Sequence, residues 1–219
     1  MTEKSKTGKI TRRRPPRFDL IAGNVCLDFV NTLDDRYLKP KELLETYADL
    51  ARFGEDAGLL DSRHIDQLRE RSEAEPELAR ETLLWARELR ETIHDIFLAI
   101  IHQRPVPAGA LARLNVDVQN AAGHMSLVHL IRGGVKGGFE WAFDDLREFD
   151  SVLWPIARAA GELLTSDQLP YVRACFSKTC EWMFLDTSKN HHRRWCDMTR
   201  CGNRAKVQRF YNRQKTASS

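Results

Sequence analysis

Four cysteines close together in a 219-residue chain carry its clearest chemistry. Cys175 and Cys180 form one C-x4-C pair, and Cys196 and Cys201 form a second after fifteen residues. Each such loop brings two thiolates to one side of a turn. Zn²⁺ has no geometric preference of its own and accepts a tetrahedral shell of four sulfurs. A complete sulfur shell leaves no position for water, so the expected ion is structural, one per chain. The alternatives are redox disulfides or free buried thiols. A chain with no export signal disfavours a disulfide framework. His191 and His192 lie between the pairs, but two full pairs fill the shell, so neither is expected to ligate. Cys26 stands alone on an apolar face and reads as a small buried hydrophobe.

The residues around the cysteines suggest how such an ion would be used. Trp182 to Asp186 reads as a short strand and Thr187 to Asn190 as a turn. His191 to Trp195 then reads as a basic return strand. After Cys201, Gly202-Asn203 opens a helix to about Lys215. Val207, Phe210 and Tyr211 share one of its sides, and Lys206, Arg209 and Arg213 share another. With Arg193, Arg194, Arg200 and Arg204 they form a cationic surface that can dock on a phosphate backbone. The competing picture is a helix packed on its own body with its arginines in water. Arg204 equally suits a structural role bracing the metal loops, and Asn203 suits either a helix cap or a bond to a thiolate. Trp182 and Trp195 are expected in the finger's small core.

Charge is distributed in the same sense. Residues 1–17 carry a net +6 and residues 175–219 a net +7, while the 157 residues between carry −10. Basic ends around an acidic body point to a polyanion, with nucleic acid the first candidate. The longest apolar runs are a few residues, so no membrane span is expected. The basic start has no apolar stretch behind it and does not read as a secretory signal, so a bacterial-type cytoplasmic location is expected.

The elements that must position the cysteines are mostly helical. Cys26, Phe29, Val30 and Leu33 repeat at helical spacing behind Asn24, a natural cap. Further helices are expected over Lys41 to Ala57, Ser62 to Arg71, Pro76 to His102, Pro107 to Ala122 and Asp144 to Leu164, the last with a kink at Pro155. Met125 to Ile131, Gly133-Gly134 and Phe139 to Phe143 read as a β-hairpin. The fold class is therefore mostly α with a small β-hairpin (α+β): a basic flexible tail over 1–17, a helical body over 18–168, and a finger over 170–215 made of a β-hairpin and a C-terminal helix. The chain shows no phosphate loop, nucleophile elbow or paired-histidine motif, so it is not read as an enzyme. Asp28, Asn31, Thr32, Asp34, Asp35 and Arg36 form its densest polar cluster. They read as caps and surface ion pairs, or as a small-molecule pocket with Arg36 reading an anion.

The run Cys196-Asp197-Met198-Thr199-Arg200-Cys201-Gly202-Asn203-Arg204 resembles the CGNR zinc-finger family, and Trp182, Phe184-Leu185-Asp186 and Arg193-Arg194-Trp195 fit the same pattern. Gly23 to Thr32 resembles the start of the ABATE domain, which accompanies that finger in bacterial proteins. The resemblance implies a transcription regulator whose finger binds DNA and whose body senses a ligand or stress signal. It implies that all four C-terminal cysteines are ligands and raises Asp28, Asn31 and Thr32 as pocket residues. An RNA-binding or protein-docking zinc module is the alternative. One finger offers a small interface, so a homodimer formed through the body is expected on that ground alone.

Overall fold

The computed structural model describes residues 18–132, 135–144, 146–177 and 179–217, with the backbone alone at 131, 132, 135, 136, 209, 212, 213 and 215–217. The basic tail over 1–17 and the Gly133-Gly134 turn lie outside the described residues.

Asn24 does cap the first helix, α1 (Val25–Val30), by accepting a hydrogen bond from the Cys26 amide. All the apolar side chains of its inner face, Cys26, Leu27, Phe29 and Val30, are buried. Helix α4 (Pro76–Ile101) is the long central element, started by Pro76 where a missing amide costs nothing. Its buried stripe runs from Ala79 through Leu89 and Ile93 to Phe97. Against it pack α1, α2 (Tyr47–Asp56), α3 (Ser62–Ala74), α5 (Ala108–Gly123) and, more lightly, α6 (Leu153–Leu164). Three small antiparallel sheets complete the body and finger: β1 (Leu33–Asp34) with β2 (Lys41–Glu42), β3 (Met125–Arg132) with β4 (Val135–Phe143), and β5 (Val172–Ala174) with β6 (Met183–Leu185).

The structure corrects four sequence expectations. The helix expected to carry Leu33 ends at Val30, and Leu33 opens β1 instead. The helix expected from Lys41 begins at Tyr47, because Lys41–Glu42 pairs with Leu33–Asp34 and Thr46 forms a reciprocal capping box with Asp49. The helix expected from Asp144 begins only at Phe149, as a 3-10 turn that leads into α6. Pro155 therefore falls in the first turn of α6, where a proline is tolerated and no kink is required. The largest correction concerns the finger. Its strand β6 pairs with Val172–Ala174 and not with residues 191–195.

The reason lies in Asp186, which is 1% exposed and organises the return segment as a loop. Its carboxylate accepts from the Ser188 amide at 3.0 Å, the Ser188 hydroxyl at 2.6 Å and the Arg193 amide at 2.8 Å. Burial alone would raise this carboxyl; these donors hold it below the usual range.

All three residues of β6 are buried, because the strand lies between finger and body. Asn31 clasps it from α1's end. Its amide nitrogen donates to the Met183 carbonyl and its amide oxygen accepts from the Met183 amide, both at 2.9 Å. The Leu185 amide donates to Ala22 at 2.7 Å, and the Trp182 indole donates to Asp34 at 2.8 Å. Met183, Phe184 and Leu185 thus belong to the same apolar core as the body helices.

Candidate metal centre

Strand β5 delivers Cys175, and the Thr179–Cys180 turn delivers the second sulfur. The Cys175 amide donates to the Trp182 carbonyl at 2.8 Å, closing this first loop over itself. The second loop is fixed by Asp197, whose carboxylate accepts from the amides of Thr199 and Arg200 and so starts a single π-helical turn, Met198–Gly202. Gly202 sits close under the end of the half-exposed Met198 side chain, which would have to swing aside for any larger residue. A Cβ on it would lie 2.5 Å from the Met198 sulfur and 3.4 Å from the Trp195 ring. Helix α7 (Asn203–Ala217) follows without a break.

These loops bring the four sulfurs of Cys175, Cys180, Cys196 and Cys201 within 4.8 Å of one another. Cys180 and Cys196 are 3.5 Å apart, and Cys196 and Cys201 3.6 Å. A tetrahedron with Zn–S bonds of about 2.3 Å has sulfur–sulfur edges of about 3.8 Å, so the spacing suits one zinc ion. It is far too long for a disulfide of about 2.05 Å. The surroundings suit thiolates as well. Backbone amides of Ser177 and Cys196 hydrogen-bond the Cys175 sulfur, and the Trp182 amide does the same for Cys180. The crowded thiols titrate unequally. Sulfur contacts from Cys180 and Cys196 hold Cys175 far below the ordinary thiol range, while Cys175 pushes Cys180 and Cys196 up and burial raises Cys201. Zinc would replace the remaining protons, so its affinity must fall on acidification. His191 is not a ligand: it stacks on Tyr171 at 3.7 Å and contacts the Asp186 carbonyl.

The cations expected to meet nucleic acid fall into separate groups. Arg193 turns inward, with its guanidinium 4.5 Å from the Phe184 ring centroid and bonded to the Trp195 and Cys196 carbonyls. Arg200 is exposed and paired with Asp19 at 2.5 Å. Arg194 stands over exposed Phe176 at 4.1 Å. Arg204 donates to the Thr179 hydroxyl at 2.9 Å, joining the two metal loops, yet remains exposed. Lys206 is exposed on α7. The side chains of Arg209 and Arg213 lie outside the described residues. Asn203 neither caps nor reaches sulfur; its amide donates to the Thr199 carbonyl at 3.0 Å. Trp182 is buried and Trp195 half-buried, but Val207, Phe210 and Tyr211 are all exposed.

The polar cluster of α1 divides similarly. Asp28, Asn31 and Thr32 line a cleft of about 310 Å³ between body and finger, together with Asp19, Asp34, Lys41, Trp182 and Arg200. Arg36 is not in that lining. It pairs with Glu91 and donates to the Val30 carbonyl at 3.2 Å. Asn31 is committed to β6, and the Thr32 hydroxyl donates to the Phe29 carbonyl at 2.7 Å. Asp34 was expected in the cluster and does line the cleft; Lys41 and Trp182 were not expected, because only the pairing of β1 with β2 and the docking of β6 bring them to α1.

Asp28 is the unusual group of the cleft. Burial pushes its carboxyl up to about 6, although the Ala22 amide donates to it at 2.9 Å. A carboxylic acid whose folded value exceeds its unfolded value of about 4 binds its proton more tightly in the native state. Asp28 therefore favours folding below about pH 4 and loses that contribution as pH rises through about 6. Asp28→Asn is expected to raise stability at neutral pH by about 1 kcal/mol after allowance for solvent screening, with no gain below about pH 4. Urea unfolding at the two pH values checks this; equal gains at both would remove the ionisation of Asp28 as the cause.

Residues 23–167 match a family model described as ABATE, "Putative stress-induced transcription regulator". Residues 171–214 match the CGNR zinc finger. No curated protein matches the chain.

Proposed function

Because the chain belongs to the ABATE family and carries a CGNR zinc finger, we propose that it is a DNA-binding regulator whose helical body responds to a small-molecule or stress signal. In this reading zinc folds the two cysteine loops into a cationic knob, and the chain performs no catalytic step. Support comes from Arg194, Arg204 and Lys206, which stand exposed around the sulfur cluster in a segment of net charge +7. Exposed α7 side chains Phe210 and Tyr211 supply apolar contact beside these charges.

A signal has a short route to the finger. The cleft that holds Asp28 shares a wall with Trp182 and Arg200 of the finger. A ligand seated there would touch both parts and shift their relative stability. An effector able to donate a hydrogen bond suits Asp28, whereas Asp19 is already paired with Arg200 and Asp34 already accepts from the Trp182 indole. Asp28 then costs stability that the fold retains for binding, a common compromise at functional sites.

Fluorescence anisotropy of zinc-loaded protein with labelled duplex DNA tests the DNA-binding half. The affinity is expected to drop at least tenfold between ~50 and ~200 mM salt, as phosphate-bound counterions are released. Absence of binding at ~50 mM salt would defeat the reading. Exposed Phe176, Phe210 and Tyr211 favour a second reading, single-stranded RNA held by base stacking. Stronger competition by single-stranded RNA than by duplex DNA would select it.

A further inference from the structure

The four cysteines of the metal centre are not equally sheltered. Cys175, Cys196 and Cys201 are buried, whereas Cys180 is half-buried. A cleft of about 90 Å³ at the join of finger and body reaches them. Cys180, Cys196 and Cys201 line it, and Cys175 does not. A water molecule occupies about 30 Å³ in the liquid, so the cleft has room for only a few molecules of that size. In a zinc-loaded centre every ligating sulfur is a thiolate, so access rather than ionisation decides which one reacts first.

The cleft is charged in both senses. Arg200 and Arg204 line it, and Arg204 donates to the Thr179 hydroxyl at 2.9 Å, which sets a cation beside the loop that carries Cys180. Asp34, Asp35 and Asp197 line it too. Asp34 accepts from the Trp182 indole and Asp197 from the amides of its own loop. A partly exposed cysteine beside a cation is the setting in which thiolates react. The mixed charge and small volume suit a small neutral reagent. A second sulfur is also at hand. The Cys196 sulfur stands 3.5 Å from that of Cys180, a short approach to the disulfide length of about 2.05 Å.

We propose that Cys180 and Cys196 are a peroxide-reactive pair: hydrogen peroxide enters the cleft and oxidises Cys180, Cys196 closes a disulfide with it, and the chain gives up its zinc. The Cys180 thiolate attacks one peroxide oxygen, the O–O bond breaks, and hydroxide leaves behind a sulfenic acid. The Cys196 thiolate then attacks the Cys180 sulfur, the S–O bond breaks, and a second hydroxide leaves. The two sulfurs have together lost two electrons. The peroxide, with two protons from solvent, has become two waters. Thiolates are the metal ligands, so a disulfide removes half of the shell and leaves a pair of sulfurs that cannot close it. The inference rests on the zinc centre alone and not on the DNA-binding reading.

Titration of the full, zinc-loaded chain with hydrogen peroxide in the presence of a chromogenic zinc indicator tests this. Each zinc released is expected to be matched by the loss of two of the chain's five thiols. Peptide mass mapping at partial release is expected to find Cys180 joined to Cys196, with Cys26, Cys175 and Cys201 still open to alkylation. A dithiol reductant with added zinc is expected to restore the ion. Cumene hydroperoxide carries the same reactive group on a bulky body. It is expected to release zinc more slowly than hydrogen peroxide, once each rate is scaled to that with free cysteine. A first disulfide containing Cys175, or one between Cys196 and Cys201, would overturn the proposal. Equal scaled rates would overturn it as well, because the cleft would then select nothing. So would zinc retained after the exposed Met198 has become its sulfoxide.

Discussion

Cys201→Ser is expected to leave the purified protein almost free of zinc, where wild type holds one ion per chain. A serine hydroxyl is a poor substitute for thiolate, and the three remaining sulfurs cannot close a tetrahedral shell. Structural zinc contributes about 10–16 kcal/mol in small finger peptides at neutral pH, more than the whole stability of many domains. The loss should nonetheless stay local. Strand β6 is held by Asn31, Ala22 and Asp34 of the body as well as by the finger, so the strand is expected to remain docked. The two cysteine loops and the start of α7 have the metal as their common anchor and are expected to unfold. Circular dichroism should show loss of about one helix, and limited proteolysis should cut within 175–217 while sparing the body. Chelation of wild type should reproduce both results. Cys26→Ser is the control: Cys26 is fully buried in the body, where burial pushes its thiol up, and its replacement should leave the zinc content intact. Full zinc occupancy and an unchanged spectrum in Cys201→Ser would contradict the metal's role.

The second large effect concerns the finger's charge. In Arg194→Gln/Arg204→Gln/Lys206→Gln, three exposed cations are removed while the four cysteines remain. Each phosphate contact contributes about 0.9 to the slope of log affinity against log salt. Removing three contacts should make the slope shallower by about 3 and weaken duplex binding by ~10²–10³-fold near 0.1 M salt. Arg193→Gln should behave differently. Its guanidinium is bonded to the Trp195 and Cys196 carbonyls and packed on Phe184, so its loss should lower the finger's thermal stability and leave the salt slope almost unchanged. Anisotropy titrations at three salt concentrations, with zinc content measured alongside, separate the two. An unaltered slope in the triple variant would move the nucleic-acid surface away from these residues.

The zinc ligands were legible in the sequence because their chemistry is local: two short loops, each with a fixed spacing. The Asn24 cap and the Pro76 helix start were legible for the same reason. What escaped notice was set by long-range pairing. The partner of β6 is a strand nine residues upstream of Met183, and the basic segment expected as its mate is instead gathered around the buried Asp186 carboxylate. Asn31 reads as a polar pocket residue on an amphipathic helix. Its amide is in fact used to bind a strand 152 residues later, and no local pattern reports that. Alternating apolar residues in the hairpin suggest burial, yet Phe139 and Trp141 project into solvent. Periodicity identifies a face but not what covers it. The candidate cleft was half legible: α1 supplies Asp28, Asn31 and Thr32, while Arg36 turns away to Glu91 and Lys41 arrives from β2.

X-ray absorption at the zinc edge on the purified full-length chain addresses the sulfur site itself. A single shell of four sulfurs at about 2.3 Å is expected, with no nitrogen or oxygen scatterer. A shell containing histidine nitrogen or water oxygen, or folded protein in which the cysteines are oxidised and zinc is absent, would contradict it.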